Sequence, residues 1–499
     1  MLINYKNIIA KNNQVILILK IIALLVIISM FFKAIIDVDK SWDTWFYHIP
    51  FAARLWGIIP QEAHFFYEKF EARYDGFPLL ASFFQGMFWY VTKRIQAANL
   101  FDFFSLILYL FFLKSYFKVP LYLSAIALIT IPLVQIHATS CYVDLPGAVC
   151  FSILILTTYY LYIKQGQEAD NWRNIAIILL SAAAAANIKL QLVPLVIFVL
   201  FFALIRIVWL RWQVIKAENA GYSRLLILIP LIFFSSILIF ATPLKNTIFY
   251  GNPFYPIRME IAGHVLNHKV DFYSYAGDAI ADMPQVLKWL RSILEINSAE
   301  WEIAQWNEDP NKSRLGGFFG VYVVFNLLLL GYLFWQNRSR ETKFAMATLV
   351  VISAVTANAP QSHELRYYLY WMITLVSLNL FLVTHLEGLP QTPKFIKVQN
   401  LGLVCLLFLG IVVTKTNFQY IKPNFYTLNQ HLQNFVDPAT LSQIKPGETV
   451  CLVNKSWEYR KTYMYSAYFH PYLNYSYAIK SVVQTPNECG EIKKIINVY

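Results

Sequence analysis

Three carboxylates, one imidazole and four aromatic rings lie within a dozen residues that directly follow the first long apolar run. They belong to Asp37, Asp39, Asp43, His48, Trp42, Trp45, Phe46 and Tyr47. A fixed carboxylate or imidazole can take a proton from a substrate as a general base. At helical spacing Asp43, Tyr47 and His48 lie near one face, where they can share a substrate. Capping of the following helix by Asp43 is the alternative, but a cap does not explain the histidine and the aromatic residues beside it.

A second group of charged residues occurs at short polar turns further along the chain. Asp144 stands two residues before a proline at the start of an apolar run, so it is a helix cap, a site residue or both. Lys189 and Arg366 each flank an apolar run. Each is either a cation for an anionic substrate or an interface residue whose charge snorkels to water. Lys245 precedes the turn Gly251-Asn252-Pro253, whose flanking aromatic residues either seat the loop at a membrane interface or floor a groove.

The composition indicates what kind of scaffold positions these residues. Of the 499 residues, 58% are hydrophobic and only 14% are charged, and the mean hydropathy is +0.47. Soluble domains carry about 25% charged residues, so a soluble globular protein is excluded and a polytopic membrane protein is indicated. The formal net charge is +12. Basic residues of membrane proteins gather in cytoplasmic loops, so we expect no nucleic acid partner. The sequence has no zinc-ligand spacing, P-loop or Gly-rich dinucleotide turn.

A helix needs about 20 mostly apolar residues to cross the hydrocarbon core. The candidates are Val15–Ile36, Leu100–Leu113, Pro120–Ile136, Pro146–Ile163, Ile175–Ala186, Leu192–Leu210, Leu225–Ala241, Phe318–Trp335, Phe344–Ala357, Tyr367–Thr384 and Leu401–Thr414. The apolar run Pro78–Val91 is shorter, and it either crosses or lies in the outer interface. If it does not cross, every short inner loop is basic, as the positive-inside rule requires. We therefore predict about eleven spans, with the N-terminus in the cytoplasm and the C-terminus outside.

This topology predicts an all-α polytopic membrane protein with outer juxtamembrane helices and a small C-terminal α/β appendage. The membrane domain covers residues 1–414, with outer loops at 37–99 and 242–317, and the periplasmic appendage covers residues 415–499. Within the appendage, Thr449–Asn454 is a predicted strand. Cys451 and Cys489 also lie there. They either form a disulfide in an oxidising outer compartment or remain two free thiols.

The order of these features resembles the GT-C superfamily of membrane glycosyltransferases, in particular its bacterial members related to aminoarabinose transferases and protein mannosyltransferases. The run from Trp42-Asp43 through Tyr47-His48 to Pro50 resembles a WD-x-x-x-YH-x-P motif of these bacterial members. The stretch Gly251-Asn252-Pro253-Phe254-Tyr255-Pro256 resembles a GNPFYP-like motif of the same group. An acid at the start of a later span, Asp144, and the outward pair Arg366-Tyr367 complete the resemblance, which covers residues 37–368.

The resemblance implies a sugar transferase in the bacterial cytoplasmic membrane, with its site on the periplasmic face. Its donor would be a polyprenyl-phosphate sugar, its acceptor a glycan, lipid or protein, and direct attack would invert the anomeric centre. Asp43 would be the general base, Asp144 would orient the acceptor or help hold a metal, and His48 would orient Asp43 or bind substrate. Arg366, and next Lys189, would stabilise the leaving phosphate.

The same resemblance leaves several assignments open. Tyr47 and Lys245 are further substrate-binding candidates, and Asp37, Asp39 and Glu364 are alternative site residues. Some members of the family use a divalent cation and others none, so the need for a cofactor, Mg²⁺ or Mn²⁺, stays open, with Asp43 and Asp144 as its ligands. Membrane lipids are the remaining expected partners.

Two other functions fit part of the pattern. A lipid-linked polysaccharide polymerase or ligase would also have about a dozen spans and a large outer loop, but it would not need acids straight after the first span. A transporter or flippase predicts charges near mid-membrane, and the apolar runs hold almost none. An outward cavity that gathers Asp43, Asp144 and Arg366 favours an enzyme, whereas a central pathway with an acid midway favours transport.

Overall fold

The computed structural model describes residues 2–59, 68–169, 171–218, 226, 228–271, 282–295, 317–387, 396–454, 463–481, 492 and 494–498. The chain is mostly helical. It begins with the helix α1 (Leu2–Ile36), which leads into a group of short outer helices. These are a π-helix (Thr44–His48), α2 (Ile49–Leu55), α3 (Glu68–Gly76), α4 (Leu80–Thr92) and a 3₁₀ turn (Ile95–Asn99).

The central part of the chain contains most of the apolar helices. They are α5 (Leu100–Phe117), α6 (Leu121–Ile129), α7 (Pro132–His137), α8 (Asp144–Ile163), α9 (Gly166–Ala169), α10 (Trp172–Ile188), α11 (Leu192–Glu218), α12 (Leu228–Ile239) and α13 (Ala241–Tyr250). An outer segment then forms the two-residue strands β1 (Glu260–Ile261) and β2 (His264–Val265) and the helix α14 (Gln285–Ile293). The last apolar helices are α15 (Gly320–Gln336), α16 (Arg340–Asn358), α17 (Leu369–Leu386) and α18 (Val398–Lys415), with a 3₁₀ turn (Leu365–Tyr368) before α17.

Six helical segments of the described chain are long and apolar enough to cross a membrane. They are Asn13–Ile36, Ile95–Phe117, Asp144–Ile163, Leu192–Lys216, Leu365–Leu386 and Val398–Lys415. The pair α12 and α13, bent by 64°, would add a seventh if it acts as one span. The shorter apolar helices α10 and α15 have 17 residues each. The structure thus supports a helical membrane protein with six or seven spans by length, fewer than the eleven that the apolar runs predict.

The predicted run Pro120–Ile136 is divided into α6 and α7 because a proline follows its first half. Pro132 has no N–H to donate, and the residue before it, Ile131, adopts an extended conformation that ends α6. The side chain of Gln135 donates to Ile129 O (2.7 Å) across the break. The break satisfies a carbonyl inside the protein and turns the chain toward the outer loops.

The apolar run Pro78–Val91 lies within and just before α4, which at 13 residues is too short to cross the hydrocarbon core. α4 packs on α2 at a very close approach. A Cβ atom added to Gly86 would lie 2.7 Å from Ala52 O, so only glycine fits there. The close packing holds α4 against the other outer helices.

The described part of the C-terminal segment (residues 416–499) contains two short helices and a parallel sheet. The helices are α19 (Leu428–Phe435) and α20 (Pro438–Ser442), and the strands are β3 (Thr449–Asn454), β4 (Ser476–Ser481) and β5 (Ile495–Val498), in the order β4-β3-β5. β3 covers the strand that the sequence predicts. Both helices start at side-chain caps, Thr427 with Gln430 in a capping box and Asp437.

The hydrophobic core of the C-terminal segment is continuous with the first outer loop. Val450, Leu452 and Phe469 of the segment share one buried cluster with Trp45 and Phe51. A separate, larger cluster fills the helical bundle. The segment is therefore packed as part of the outer face, and Asp43 stands beside the shared core.

Candidate functional site

A cavity of about 1070 Å³ lies between the predicted first outer loop, the segment after α13, the first turn of α8, the start of α11 and the 3₁₀ turn before α17. Its charged and ring-bearing lining residues include Asp43, Tyr47, His48, Lys69, Arg73, Asp144, Lys189, Asp271, Arg366 and Tyr367. Apolar side chains such as Phe46, Phe254, Ile257 and Leu195 cover the rest. The cavity therefore joins charged groups to a surface that suits a lipid or sugar ring.

Asp43 makes an ion pair and does not cap the following helix. Its Oδ2 accepts a hydrogen bond from Arg366 Nη1 at 2.7 Å, although the two residues are 323 positions apart. Asp43 makes no side-chain bond to the π-helix that begins at the next residue, so the capping alternative is wrong. Among the described residues, Oδ1 of Asp43 has no hydrogen-bond partner. One carboxylate oxygen is held while the other remains open for a proton.

The π-helix explains how three site residues reach the same cavity. Ile49 N donates to Thr44 O, the i→i+5 bond of a π-helix. Such single turns are rare and are frequently found at functional sites. Asp43, Tyr47 and His48 all line the cavity, as their spacing predicts.

Arg366 is the central cation of the site. Besides the bond to Asp43, its Nη2 donates to Tyr367 Oη (3.2 Å), and its Nε lies 3.8 Å from Glu364 Oε2. Its side chain is only 10% exposed, so it does not snorkel to water. Arg366 holds Asp43 in place from one side while Glu364 balances its charge from the other.

Asp144 and Lys189 form a second buried ion pair in which Lys189 Nζ donates to Asp144 Oδ1. The ammonium group also lies 4.2 Å from the centre of the Tyr367 ring. Asp144 is in the first turn of α8 and makes no cap bond, so the capping role is wrong for this residue too. Burial lowers the pKa of Lys189, and the negative charge of Asp144 opposes that shift. The pair places a carboxylate and an ammonium on the cavity wall.

His48 is neutral in this setting. Burial lowers its pKa to about 4, with the negative charge of Asp43 acting in the opposite direction. Its Nε2 is buried without a hydrogen-bond partner among the described residues. The described contacts join Asp43 to Arg366, and none joins it to His48, so the imidazole does not orient Asp43 here. Tyr47 beside it keeps its proton, because burial, reinforced by Asp43, raises the pKa of its hydroxyl.

Asp37 and Asp39, the two alternative acids, serve the structure of the loop. Asp37 pairs with Lys33 (3.0 Å) and accepts backbone bonds from residues of the C-terminal segment. Asp39 accepts from Ser41 Oγ (2.6 Å), from Thr44 and from Cys141 N (2.9 Å). Neither carboxylate lines the cavity in the described structure. Asp43 therefore differs from these two neighbouring aspartates in that its side chain lines the cavity.

Glu364 is buried behind Arg366 and does not line the cavity among the described residues. Burial raises its pKa to about 7, and the charge of Arg366 opposes the rise. Its protonation therefore changes the net charge around Arg366 near neutral pH. Glu364 acts on the site through Arg366 and is a positioning residue.

The pKa of Glu364 predicts a pH-dependent stability. An unfolded chain ionises this group near pH 4.5, whereas the folded chain keeps the proton to about pH 7. The folded state binds more protons between these values, so the free energy of unfolding falls as pH rises from about 4.5 to about 7. Glutamine cannot ionise. Between these pH values, the free energy of unfolding of Glu364→Gln should therefore fall by on the order of 1–3 kcal/mol less than that of the wild-type protein. Thermal unfolding of both proteins at pH 5 and pH 8 measures the difference, and parallel pH profiles would contradict the assignment.

Lys245 is the one predicted substrate-binding residue that the structure places away from the cavity lining. Its Nζ donates to the backbone oxygen of Asp75, at the end of α3. Asn246 Nδ2 donates to Gly76 O (2.8 Å) and Tyr255 O (3.1 Å). A Cβ atom on Gly76 would lie 2.3 Å from Tyr255 O. Lys245 and the turn after α13 therefore join the second outer segment to α3, while Phe254 reaches the cavity wall.

Arg73 is a cavity residue that the sequence patterns do not reveal. It lies on α3 one turn after Lys69, with its guanidinium 5.5 Å from the Phe70 ring and 6.0 Å from the Tyr47 ring. Its Nε is buried without a hydrogen bond, and no carboxylate among the described residues pairs with it. Arg54, also in the first outer loop, is instead paired with Glu71 (2.7 Å). Arg366 and Lys189 are each paired with a carboxylate of the cavity. Arg73 is therefore the cavity arginine with which no described carboxylate pairs.

The two proposed metal ligands fit a divalent cation poorly. Asp43 and Asp144 each hold a cationic side chain, Arg366 and Lys189. A divalent ion between the carboxylates would have to displace both cations or remain close to them. Within the described residues, no group of three or more His, Cys, Asp or Glu side chains could hold a metal ion.

The cysteines have different states. Cys451 is disulfide-bonded, while Cys141, Cys150 and Cys405 are free. Cys489, the partner expected from the sequence, lies outside the described residues. The disulfide at Cys451 is in the central strand β3 of the C-terminal segment, where it can brace a sheet of only three strands.

Comparison of the chain with protein-family models, with curated proteins and with solved structures finds no match. The functional assignment therefore depends on the geometry of the cavity and on the motif resemblance.

Proposed function

We propose that the protein is a membrane glycosyltransferase that moves a sugar from a polyprenyl-phosphate donor to a glycan, lipid or protein acceptor. The observation that carries this proposal is the ion pair between Asp43 and Arg366 at the wall of a largely apolar outer cavity. Asp144, Lys189, Tyr47 and His48 line the same cavity, as a single catalytic pocket requires. A transporter would instead place its charges along a central pathway.

The proposed reaction is a direct displacement at the anomeric carbon. The acceptor oxygen forms a bond to this carbon as the bond from the carbon to the phosphate oxygen breaks, and the lipid phosphate leaves with the electron pair. Oδ1 of Asp43 takes the acceptor proton, and its negative charge stabilises the oxocarbenium character of the transition state. Arg366 holds the carboxylate in place through the bond to Oδ2. Attack from the face opposite the phosphate inverts the anomeric centre.

The leaving phosphate requires a cation that is not already neutralised. Arg366 and Lys189 are each paired with a carboxylate, so we assign them mainly to positioning Asp43 and Asp144. Only the charge that these pairs leave uncompensated would act on the phosphate. Arg73, with its buried and unbonded Nε, is the better-placed phosphate ligand in the described cavity. An arginine can bind two phosphate oxygens at once. Its ring neighbours Phe70 and Tyr47 restrict the guanidinium to the cavity side.

Arg73→Gln should weaken donor binding. We expect the KM for a polyprenyl-phosphate sugar to rise at least about tenfold. This is the effect of losing one charge-assisted hydrogen bond, which contributes about 1.5–3 kcal/mol to binding. Arg54→Gln is the matched control, because Arg54 lies in the same loop but is paired with Glu71 away from the cavity. Steady-state kinetics with a varied donor concentration measure both variants. Equal donor KM values for Arg73→Gln and the wild-type protein would remove Arg73 from the phosphate site.

The proposed topology has eleven spans, an inner N-terminus and an outer C-terminus. Asp43, Asp144, Lys189 and Arg366 follow or precede four different apolar helices, and their contact requires all four helix ends to lie on the same side. At the opposite ends, Arg340 Nε donates to Tyr162 O (2.8 Å) and other basic residues gather nearby. These contacts support the alternation of helix directions. The outer side would be the periplasm of a bacterial cytoplasmic membrane.

A panel of polyprenyl-phosphate sugars incubated with the purified protein and candidate acceptors tests the proposed function. We expect one donor to be consumed and one acceptor to gain the mass of one sugar, with the same rate in buffer containing a metal chelator. Formation of polymer blocks from diphosphate-linked glycans would favour the polymerase or ligase alternative. Movement of an intact lipid-linked glycan across vesicles without a mass change would favour a transporter.

A further inference from the structure

The C-terminal segment is fastened to the exit of α1, just before the acidic cluster. Val38 N donates to Tyr426 O (2.9 Å), and the Asp37 carboxylate accepts from Asn424 N (2.8 Å) and Tyr426 N (3.1 Å). The ammonium of Lys40 lies 4.2 Å from the centre of the Tyr426 ring. These contacts fix the first residues of the outer loop to the start of the C-terminal segment.

A second set of contacts encloses the π-helix itself. Trp45 is 1% exposed and stacks on the His431 ring, with ring centres 4.4 Å apart and planes at 22°. The Phe469 ring lies 6.1 Å from it on the side of the sheet, and Trp45 Nε1 donates to Asp39 O (2.7 Å). Trp45 is thus held by three partners, two of which belong to the C-terminal segment.

Trp45 connects the C-terminal segment to the site residues Asp43 and Tyr47. It lies two residues after Asp43 and two before Tyr47, within the short π-helix that sets the direction of both side chains. His431 and Phe469 do not line the cavity in the described structure, so they cannot contact a substrate there. In the described contacts, Trp45 is the π-helix residue through which they can act on the chemistry.

We propose that residues 416–499 are a positioning module for the catalytic loop, with His431 as its contact on Trp45. This inference rests on the proposed role of Asp43. Stacking of the His431 ring holds the π-helix in the turn that directs Asp43 at Arg366 and Tyr47 at the cavity. His431 is a positioning residue that acts through the stacking of its ring on Trp45.

The kinetic test compares His431→Ala with His431→Phe. A displacement of about 1 Å can cost up to about 10²-fold in rate, so we expect kcat of the alanine variant to fall at least about tenfold with KM within about twofold of wild type. His431→Phe keeps an aromatic ring and should retain most of kcat. Tyr468→Phe is the control in the same segment, because its hydroxyl meets Trp89 of α4 and not the π-helix. A phenylalanine variant as slow as the alanine variant would overturn the stacking role.

A second readout does not depend on catalysis. In a Tyr47→Cys background, the rate of modification by a charged thiol reagent reports how position 47 faces the cavity; the unsubstituted protein corrects for Cys141, Cys150 and Cys405. We expect His431→Ala to change this rate several-fold and His431→Phe to leave it unchanged. Unchanged rates in both would overturn the positioning module. If the labelling changes while no donor is consumed by the wild-type protein, the module stands and the proposed function fails.

Discussion

Asp43→Asn is expected to lower kcat for sugar transfer by about 10²–10⁴-fold, the range of a lost general base. Asparagine has the size of aspartate and can still accept a bond from Arg366, and Glu364 remains beside the guanidinium, so Asp43→Asn should lose less stability than Arg366→Met. It cannot take the acceptor proton, and it lacks the negative charge that stabilises the transition state. The rate of acceptor glycosylation by purified protein measures the effect.

Asp271→Asn is the matched control for this variant. Asp271 lines the same cavity from the second outer segment, and no step of the proposed reaction uses it, so its rate should stay within about threefold of wild type. Full activity of Asp43→Asn would reject the glycosyltransfer mechanism and favour a polymerase or ligase that does not need this acid. Equal losses in both variants would show that cavity charge, and not a base at position 43, is what matters.

Arg366→Met should be the most damaging single substitution in the cavity. It leaves Asp43 buried without its partner and removes the cation beside Glu364. Loss of one member of a buried ion pair costs about 3–5 kcal/mol, and Asp43 would lose its aim at the acceptor. We expect poor yield, a large drop in the unfolding temperature and no measurable transfer in the protein that is recovered.

The double variant Asp43→Asn with Arg366→Met distinguishes a charge effect from a packing effect. Because asparagine carries no charge, the double variant should be more stable than Arg366→Met alone by about 0.5–3 kcal/mol, the usual size of coupling between contacting residues. Activity should remain absent. Additive losses of stability in the double variant would show that the two side chains are not coupled in the folded protein.

Most residues of the candidate site were predictable because they stand at the outer ends of apolar runs. Asp43, Asp144, Lys189 and Arg366 have no common sequence pattern, but a membrane protein must place such ends on one surface, where polar side chains find partners. The structure brings these four residues together in two ion pairs. The motif around Tyr47 and His48 also indicated their shared direction.

The roles of neighbouring acids could not be read from the sequence. Asp37 and Asp39 match Asp43 in type and location, and their difference comes from backbone donors at Cys141, Asn424 and Tyr426, which no local pattern connects to them. Arg73 was missed because α3 looks like an ordinary charged surface helix; only the cavity shows that its guanidinium faces inward. The sequence does not distinguish a lysine that binds a substrate from one that donates to a backbone carbonyl, because both can precede a turn. In the structure Lys245 donates to the backbone oxygen of Asp75.

The number of spans illustrates a different limit. Apolar runs report where a chain avoids water, and eleven runs do so here, but only six described helical segments, or seven with the bent pair α12 and α13, are both long and apolar enough to cross a membrane. Pro132 divides one run, and turns shorten others. In a membrane, the backbone polar groups that such breaks leave unpaired must be satisfied by neighbouring helices. Run length alone cannot show this, since the compensation comes from packing between helices.

The Asp43–Arg366 contact joins positions 323 residues apart, and this separation has a consequence for synthesis. At about 5–20 residues per second, the ribosome adds Arg366 tens of seconds after Asp43 has been translated. During that interval the proposed transferase centre is incomplete, so on the proposed function an incompletely inserted product would not consume lipid-linked sugar. Truncated translation products should accordingly be inert toward the donor pool of the cell.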